Sequence, residues 1–230
     1  MCNNIPSGVG MYIVDRTLRF VRGFLLSYGP SNFKRAVWNK EYSEEKWAFA
    51  YKTVGDPVYP YLARYAAKGS ILDIGCGSGN TANELDADAF ASYVGVDISE
   101  VALAKAASRS RENGRGNKTR FECSDFFSYA PTARFDVVLF RESMYHVPFP
   151  KIRPILEKYS HALKDDGVFI VRLVTTVDGK PKYRPMKMIQ TIEAATEVMD
   201  RYHDDRSGAR VIVCRPKASW RARAGLAVSH

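Results

Sequence analysis

The sequence lacks several features that would point to a membrane or a metal. It contains no run of about 18 uncharged apolar residues, so we predict no membrane-spanning helix. Its four cysteines are scattered, with no CxxC pair and no spacing to histidine that is typical of a metal site. The start of the chain also lacks the pattern of a secretory signal. We therefore predict no metal centre and a location in the reducing cytoplasm.

The 230 residues contain no internal repeat, low-complexity tract or long linker, which predicts a single catalytic domain. The formal net charge of +9 raises the question of nucleic acid, because lysine and arginine dominate affinity for phosphates. These residues are spread along the chain, however, and no DNA- or RNA-binding module accompanies them. We therefore predict a solvated basic surface and an acidic small ligand, with nucleic acid an unlikely partner.

The first 65 residues predict a helical cap or lead-in. Met11 to Tyr28 place apolar and basic side chains at helical spacing, which indicates an amphipathic helix that the pair Gly29-Pro30 ends. Such a helix can pack on its own domain or lie on an anionic membrane, so a lid, an interface and peripheral membrane contact all stay open. A second helical stretch, rich in aromatic residues, is predicted from Ser43 to Tyr51.

After Gly69, short apolar runs alternate with helical patterns. This alternation predicts an α/β fold, a Rossmann-like doubly wound and mostly parallel seven-stranded sheet that ends in a C-terminal antiparallel hairpin. A helix is predicted from Pro185 to about Val198, before a strand at Ala209 to Arg215. The core is predicted over residues 66–216, with a basic tail over 217–230. The remaining predicted elements are strands at Ser70 to Ile74, Tyr93 to Val96, Arg120 to Glu122, Phe135 to Phe140 and Gly167 to Val174, and helices at Asn80 to Leu85, Glu100 to Asn113 and Lys151 to Leu163.

The strongest motif is a glycine-rich turn that joins the first predicted strand to a helix. Glycine permits a tight turn and lets the backbone approach a ligand at the carboxyl end of the strand. Dinucleotide-binding enzymes use GxGxxG, whereas here GxGxG follows Asp73, whose carboxylate would repel a pyrophosphate and suits the cationic amino group of a methionine moiety. We predict that this turn binds the cofactor through Asp73, Gly75, Cys76, Gly77 and Gly79.

An acid followed by GxGxG resembles motif I of class I S-adenosylmethionine-dependent methyltransferases, and the resemblance extends roughly over residues 70–175. At the end of the second strand, Asp97 suits the two ribose hydroxyls, unless it caps the next helix, a role for which Ser99 is better placed. After the third strand, Asp125 is similar to the family's acidic position, which accepts a hydrogen bond from the adenine amino group. Phe126 or Ile98 is expected to cover the ring.

The fourth strand leads into Arg141-Glu142-Ser143-Met144-Tyr145-His146. In the resembled family this strand end reaches the sulfonium and the acceptor, which makes His146 the candidate general base, with a structural histidine as the alternative. Arg141 is predicted to bind a carboxylate of the cofactor or acceptor. Glu142 is predicted to orient His146 or hold an acceptor amine; alternatively, the two charges pair with neighbours. Tyr145 completes the predicted catalytic group.

The resemblance implies methyl transfer from S-adenosyl-L-methionine, leaving S-adenosyl-L-homocysteine, to an oxygen or nitrogen atom of a small molecule. A natural product, a sugar or glycan, or another metabolite is the expected acceptor. The Asn/Asp-Pro-Pro-Tyr/Phe run of DNA-adenine and glutamine methyltransferases is absent after the fourth strand. RNA methylation and a non-catalytic cofactor-binding protein remain alternatives. The aromatic lead-in loosely resembles a methyltransferase lid, with Trp47 or Tyr51 near the cofactor.

Overall fold

A computed structural model describes residues 21–47, 53–177 and 180–220 of the chain. Its centre is a seven-stranded sheet in the order β3-β2-β1-β4-β5-β9-β8, in which β1 to β5 are parallel and β9 is antiparallel to both of its neighbours. A separate hairpin joins β6 and β7. The strands are β1 (Ser70–Ile74), β2 (Ser92–Asp97), β3 (Thr119–Cys123), β4 (Phe135–Arg141), β5 (Leu163–Val174), β6 (Thr176–Val177), β7 (Lys180–Pro181), β8 (Glu197–His203) and β9 (Ala209–Arg215).

Helices cover both faces of this sheet, so the predicted doubly wound fold is confirmed. Short 3₁₀ turns lie at Ala87–Ala89 and Met144–His146. The helices are α1 (Ser31–Ser43), α2 (Val58–Ala66), α3 (Asn80–Glu84), α4 (Glu100–Glu112), α5 (Phe149–Ser160) and α6 (Tyr183–Ala195).

The central strands are nearly continuous apolar runs because both of their faces are buried. Alternate residues of one strand therefore belong to different core layers: Leu72 of β1 packs with α5 and α6, whereas its neighbour Ile71 packs with α2. The strand order reverses between β1 and β4, which pair with each other in parallel. In open sheets of this kind, ligands bind outside the carboxyl ends of the strands at this reversal.

The predicted C-terminal hairpin is confirmed as β8 and β9, but the helix predicted through Val198 is too long. The α6 helix ends at Ala195, and Thr196 is extended, with φ −125° and ψ 177°. Its hydroxyl donates to the Ile192 carbonyl at 2.7 Å and satisfies one of the last helical acceptors. Pairing of Glu197 with Arg215 of β9 then decides the conformation, against the local helical pattern.

The predicted helix from Ser43 to Tyr51 is wrong over its first residues. The α1 helix instead ends at Ser43, residues 44–47 form turns, and Glu45 has a left-handed φ of 53°. The remaining residues of that prediction, 48–51, lie outside the described part of the chain.

The amphipathic helix predicted at the N-terminus is described from residue 21 onward. Residues 21–28 are helical, and the Gly29 amide donates to the Leu25 carbonyl at 2.8 Å at the predicted stop. Leu26 faces the protein, whereas Phe24 and Tyr28 are exposed and stack on each other with ring centroids 5.0 Å apart. Residues 11–20 lie outside the described part, so membrane contact stays a prediction. Among the described helices, none is long and apolar enough to span a bilayer.

Candidate functional site

A cavity of about 500 Å³ opens at the carboxyl ends of β1, β2 and β4, beneath α1. It contains twelve of the thirteen predicted site residues. Trp38 and Trp47 also line it, whereas Tyr51 lies outside the described residues. The predicted residues in its wall are Asp73, Gly75, Cys76, Gly77, Asp97, Ile98, Asp125, Phe126, Arg141, Glu142, Tyr145 and His146.

The glycine turn has left-handed backbone at each of its three glycines, with φ values of 80° at Gly75, 54° at Gly77 and 74° at Gly79. A Cβ on Gly75 would lie 2.4 Å from the Cβ of Ser143, and one on Gly77 would lie 2.6 Å from the Tyr42 hydroxyl. Both positions therefore require glycine for conformation and for space.

Gly79 has a different surrounding from the other two. It does not line the cavity, and a Cβ there would lie 2.7 Å from the Cβ of Ala106 in α4. Its observed contribution is close packing of α4 against the start of α3.

Asp73 is a buried carboxylate with one free acceptor. Its Oδ2 accepts the Tyr93 hydroxyl at 2.6 Å, while Oδ1 is buried and accepts no hydrogen bond from any described residue. Burial raises the pKa of Asp73 from 3.8 to about 6, against the hydrogen bond from Tyr93, the charge of Arg141 and the nearby Thr81 hydroxyl, which lies outside hydrogen-bonding geometry with Oδ1. A cationic donor entering the cavity at this point would satisfy Oδ1 and favour the ionised form.

Asp97 holds the glycine turn. Its Oδ2 accepts the Gly77 amide at 2.9 Å, and its Oδ1 accepts the Ser99 amide at the same distance. Ser99 itself caps α4, because its hydroxyl accepts the Ala102 amide at 3.1 Å. The helix cap thus belongs to Ser99, and the Asp97 carboxylate lies at the cavity wall with a further lone pair on each oxygen.

Asp125 is more fully engaged than the sequence suggests. Its Oδ1 accepts the amides of Phe127 and Ser128, and its Oδ2 accepts the hydroxyls of Ser128 and Ser31. Burial raises the pKa of Asp125, but these hydrogen bonds outweigh it and the net shift is downward. To accept a hydrogen bond from an adenine amino group, Asp125 would have to exchange one of these donors. The Ser31 hydroxyl of α1, at 2.5 Å, is the donor that lies outside the local turn.

Arg141 lies in a buried ion cluster with a residue that the sequence did not single out. Its Nη2 contacts Asp56 Oδ2 at 2.9 Å, and Arg172 of β5 contacts the same oxygen at 3.2 Å. Arg172 also donates to Glu142 at 2.6 Å. The sequence left two alternatives for Arg141, a contact with a ligand or an ion pair with another residue. The structure contains the ion pair. Two features of the sequence could have indicated this cluster. Arg172 interrupts an otherwise apolar strand, and Asp56 lies in a Gly-Asp-Pro turn.

Glu142 and Tyr145 form one hydrogen-bonded unit. Glu142 has a left-handed φ of 55°, which is uncommon for a residue with a side chain. The Tyr145 hydroxyl donates to Glu142 Oε2 at 2.9 Å and accepts the Val174 amide at 2.7 Å. Burial and the adjacent carboxylate raise the pKa of Tyr145, so its hydroxyl keeps its proton.

His146, the candidate general base, does not keep the ordinary pKa of histidine. Burial, followed by the charges of Arg184 and Arg22, lowers the pKa of His146 from 6.5 to about 4. The imidazole is therefore neutral at pH 7 and is a much weaker base than free histidine.

The α1 helix supplies three contacts that local sequence patterns could not reveal. Asn39 Oδ1 accepts the Ser99 hydroxyl at 2.8 Å, and the Tyr42 carbonyl accepts Lys105 Nζ at 2.6 Å. With Ser31 on Asp125, these contacts place α1 along one side of the cavity, from the third strand to the glycine turn. They join residues at least sixty positions apart in sequence.

Comparisons with known proteins agree with this geometry. A family profile described as a methyltransferase domain matches residues 71–167. Thiocyanate methyltransferase 1 from Brassica oleracea is 35% identical over 123 residues, 50% of this chain and 52% of that protein. The mRNA cap guanine-N(7) methyltransferase of Schizosaccharomyces pombe is 34% identical over 110 residues, 44% of this chain and 30% of that protein. The chain thus spans about half the length of the first relative and less of the second.

Solved structures share the fold at lower identity. A Burkholderia thailandensis 1,6-didemethyltoxoflavin-N1-methyltransferase is similar with a TM-score of 0.63 and 18% identity, covering 79% of this chain and 86% of that one. Residues 71–167 therefore match a methyltransferase domain, and the sheet around them has the Rossmann-like order seen in solved methyltransferase structures.

Proposed function

We propose that the chain binds S-adenosylmethionine and transfers its methyl group to an oxygen, nitrogen or sulfur atom of a small molecule. The single observation that carries the proposal is the unpartnered Oδ1 of buried Asp73, beside a glycine turn that lines the cavity. The methionine ammonium is the cation that this family's cofactor presents. An ion pair there would offset the desolvation that raises the pKa of Asp73.

The other strand ends suit the rest of the cofactor. Asp97 would accept the ribose hydroxyls, since each of its oxygens has a lone pair beyond the backbone bonds. Ile98 and Phe126 line the cavity between Asp97 and Asp125 and would cover the adenine. Arg141 would contribute charge near the cofactor carboxylate while it stays paired with Asp56.

Bound S-adenosylmethionine would supply an activated methyl group on a sulfonium. The protein would then have to position the acceptor in line and exclude water. Trp38 and Trp47 give the cavity an aromatic wall on the side of the cap, and such a wall suits a small apolar body.

A small molecule is favoured over RNA by the site. The cavity of about 500 Å³ is lined on one side by Trp38 and Tyr42 of α1, and its described lining carries more carboxylates than basic side chains. Similarity to the cap methyltransferase of S. pombe keeps RNA as the alternative to be tested. Cytoplasmic location and membrane contact by residues 11–28 stay predictions from the sequence.

Titration calorimetry with S-adenosylmethionine, S-adenosylhomocysteine and NAD⁺ tests the cofactor assignment. We expect micromolar affinity for the first two and no heat with NAD⁺. Transfer of a labelled methyl group into pools of small metabolites, with capped RNA fragments as a parallel acceptor, tests the substrate class. Binding without transfer to any pool would favour the non-catalytic alternative, and label in RNA alone would exclude the small-molecule assignment.

A further inference from the structure

Exposed apolar side chains are concentrated on the face of the protein where the cavity opens. Nine large apolar side chains of the described residues are exposed. Six of the nine line the cavity themselves or lie within three positions of a residue that lines it. Single apolar side chains are normal on a protein surface, whereas a concentration of them marks a site of interaction. The six are Phe24, Tyr28, Phe33, Val54, Phe127 and Val177.

The helical segment 21–28 carries an exposed apolar stripe. Val21, Phe24 and Tyr28 are spaced i, i+3 and i+7, which places them on one face of the helix, and they are 45%, 54% and 60% exposed. Leu26, in contrast, is buried and lines the cavity. The segment therefore packs on its own domain with one side and presents a second apolar side to the surroundings.

Three lysines surround the exposed ring of Phe127 beside this stripe. The Nζ atoms of Lys34 and Lys151 lie 5.8 Å and 5.5 Å from the centroid of the ring, and Lys158 donates to the Phe127 carbonyl at 2.6 Å. Lys34 Nζ also lies 3.5 Å from the Ser27 carbonyl oxygen, so it connects the lysines to the helical segment. These side chains form one surface, here called the rim surface, which consists of Val21, Phe24, Tyr28, Lys34, Phe127, Lys151 and Lys158.

Positive charge is in excess on the rim surface. Asp125 is the carboxylate whose charge acts on Lys34 and Lys158, and its oxygens already accept four hydrogen bonds. Next to the apolar stripe, Arg22 is paired with Glu41. Lysines interspersed with apolar side chains complement a bilayer that contains anionic lipids, because the charges attract the headgroups while the apolar groups enter the interface.

We propose that the rim surface docks on a bilayer containing anionic lipids, with the mouth of the cavity facing the headgroups. This docking is a property beyond methyl transfer and does not depend on it. The stripe favours lipid over RNA, because a nucleic-acid base stacks on an aromatic ring, whereas the aliphatic Val21 has no ring to offer. The other two occupants, RNA and a second copy of the chain, are distinguished by the experiment.

Cosedimentation of the full chain with vesicles tests the proposal. One set of vesicles is made of phosphatidylcholine alone, and the other contains phosphatidylcholine and phosphatidylglycerol in equal parts. We expect the protein to bind the mixed vesicles much more tightly than the zwitterionic ones. Added salt should release it, since salt screens the attraction between the lysines and the headgroups.

Variants of the rim surface locate the contact. Lys151→Gln should weaken binding to the mixed vesicles about fivefold. The double variant Phe24→Ser, Tyr28→Ser should weaken it about tenfold, because two rings no longer leave water. Circular dichroism verifies that each variant is folded.

Two matched controls lie away from the rim surface. Met199→Ser removes an exposed apolar side chain from β8, at the edge of the sheet opposite to β3. Arg134→Gln removes an exposed arginine that precedes β4, at the end of the sheet opposite to the cavity. Both variants should bind the mixed vesicles as the native protein does.

Three results would overturn the proposal. The first is a folded native protein that does not bind the mixed vesicles. The second is binding that persists in full in Lys151→Gln and in the Phe24→Ser, Tyr28→Ser variant, because another part of the chain would then make the contact. The third is binding of capped RNA or self-association in place of vesicle binding, measured by fluorescence anisotropy and sedimentation velocity and lost in the double variant. That result would assign the rim surface to the other partner.

Discussion

The ring of Trp38 in the cap meets the imidazole of His146 at an interplanar angle of 75° and a centroid distance of 5.1 Å. The two residues belong to different parts of the chain, and their contact closes the cavity at the end of β4. Trp38 therefore contributes to the burial that lowers the pKa of His146.

Trp38→Ala should raise the pKa of His146 from about 4 toward its ordinary value of 6.5, because it admits water to the ring. Titration of the imidazole resonances by NMR measures this shift. Trp38→Phe keeps an aromatic cover and should change the pKa much less. A pKa near 4 in both variants would assign the shift to the surrounding cations instead.

Gly77→Val should abolish binding of S-adenosylmethionine. A side chain at φ 54° is strained, and its Cβ would lie 2.6 Å from the Tyr42 hydroxyl at the wall of the cavity proposed to hold the cofactor. Calorimetry on the folded variant measures the loss. Gly116→Val, at an exposed position where a Cβ meets only ordinary contacts with Arg111, is the matched control and should bind normally. Retained affinity in a folded Gly77→Val protein would contradict the assignment of the site.

Asp97→Ala should weaken cofactor binding by about 1–3 kcal/mol, the usual cost of losing hydrogen bonds to a charged group. Asp97 also accepts hydrogen bonds from two backbone amides, so the variant should have a lower melting temperature as well. Asp86→Ala removes an aspartate that accepts a backbone amide far from the cavity and controls for the second effect. A lower melting temperature with full affinity would leave Asp97 a purely structural residue.

Asp73→Asn should separate stability from binding. Since the pKa of Asp73 is higher in the folded protein than its ordinary 3.8, the folded state holds more protons between about pH 4 and 6. The free energy of unfolding therefore falls as pH rises through that window, and the loss persists above it. The asparagine variant has no ionisable group at this position and should lack this decline. Its free energy of unfolding, measured with urea, should therefore rise relative to that of the native protein between about pH 4 and 6.

Affinity for the cofactor should change in the opposite direction. In the native protein it should increase as pH rises through about 6, because the ionised carboxylate binds the ammonium. Asp73→Asn should bind weakly at every pH. Equal pH dependence in both proteins would show that Asp73 does not contact the ammonium.

Asp56→Ala should destabilise the fold by about 3–5 kcal/mol, because it leaves the buried Arg141 and Arg172 without their shared anion. Asp56→Asn keeps the acceptor for the Val58 amide and should lose less. Glu193→Ala breaks the more exposed pair with Arg201 and should cost no more than about 1 kcal/mol. Denaturant unfolding compares the three variants. Similar losses for Asp56→Ala and Glu193→Ala would mean that the cluster is solvated.

Local patterns were sufficient for the sheet and for the glycine turn. An apolar run such as Phe135 to Phe140 forms a strand wherever both faces are covered, and three glycines close together allow the turn at little steric cost. The cap was predicted poorly. The α1 helix has a weakly amphipathic sequence, and its position depends on contacts such as that of Asn39 with Ser99, which no local pattern encodes.

The ionisation states of the site were also beyond the sequence. His146 and Asp73 were identified from their positions after β4 and in β1, but their pKa values depend on burial and on charges from distant elements. The pairing of Arg141 with Asp56 similarly joins residues 85 positions apart. Such groups can be located by motif, whereas their chemistry follows from the folded environment.

The α1 helix is attached to the protein by polar contacts and by the partly exposed ring of Trp38, without a buried side chain. None of its thirteen residues, all of which the structure describes, is buried. An element with so little apolar surface removed from water opens at a lower free energy than the sheet beneath it. Amide hydrogens of α1 should thus exchange with solvent faster than those of β1 and β4. The same opening would set the rate at which a used cofactor leaves and a fresh one enters, independently of the methyl transfer itself.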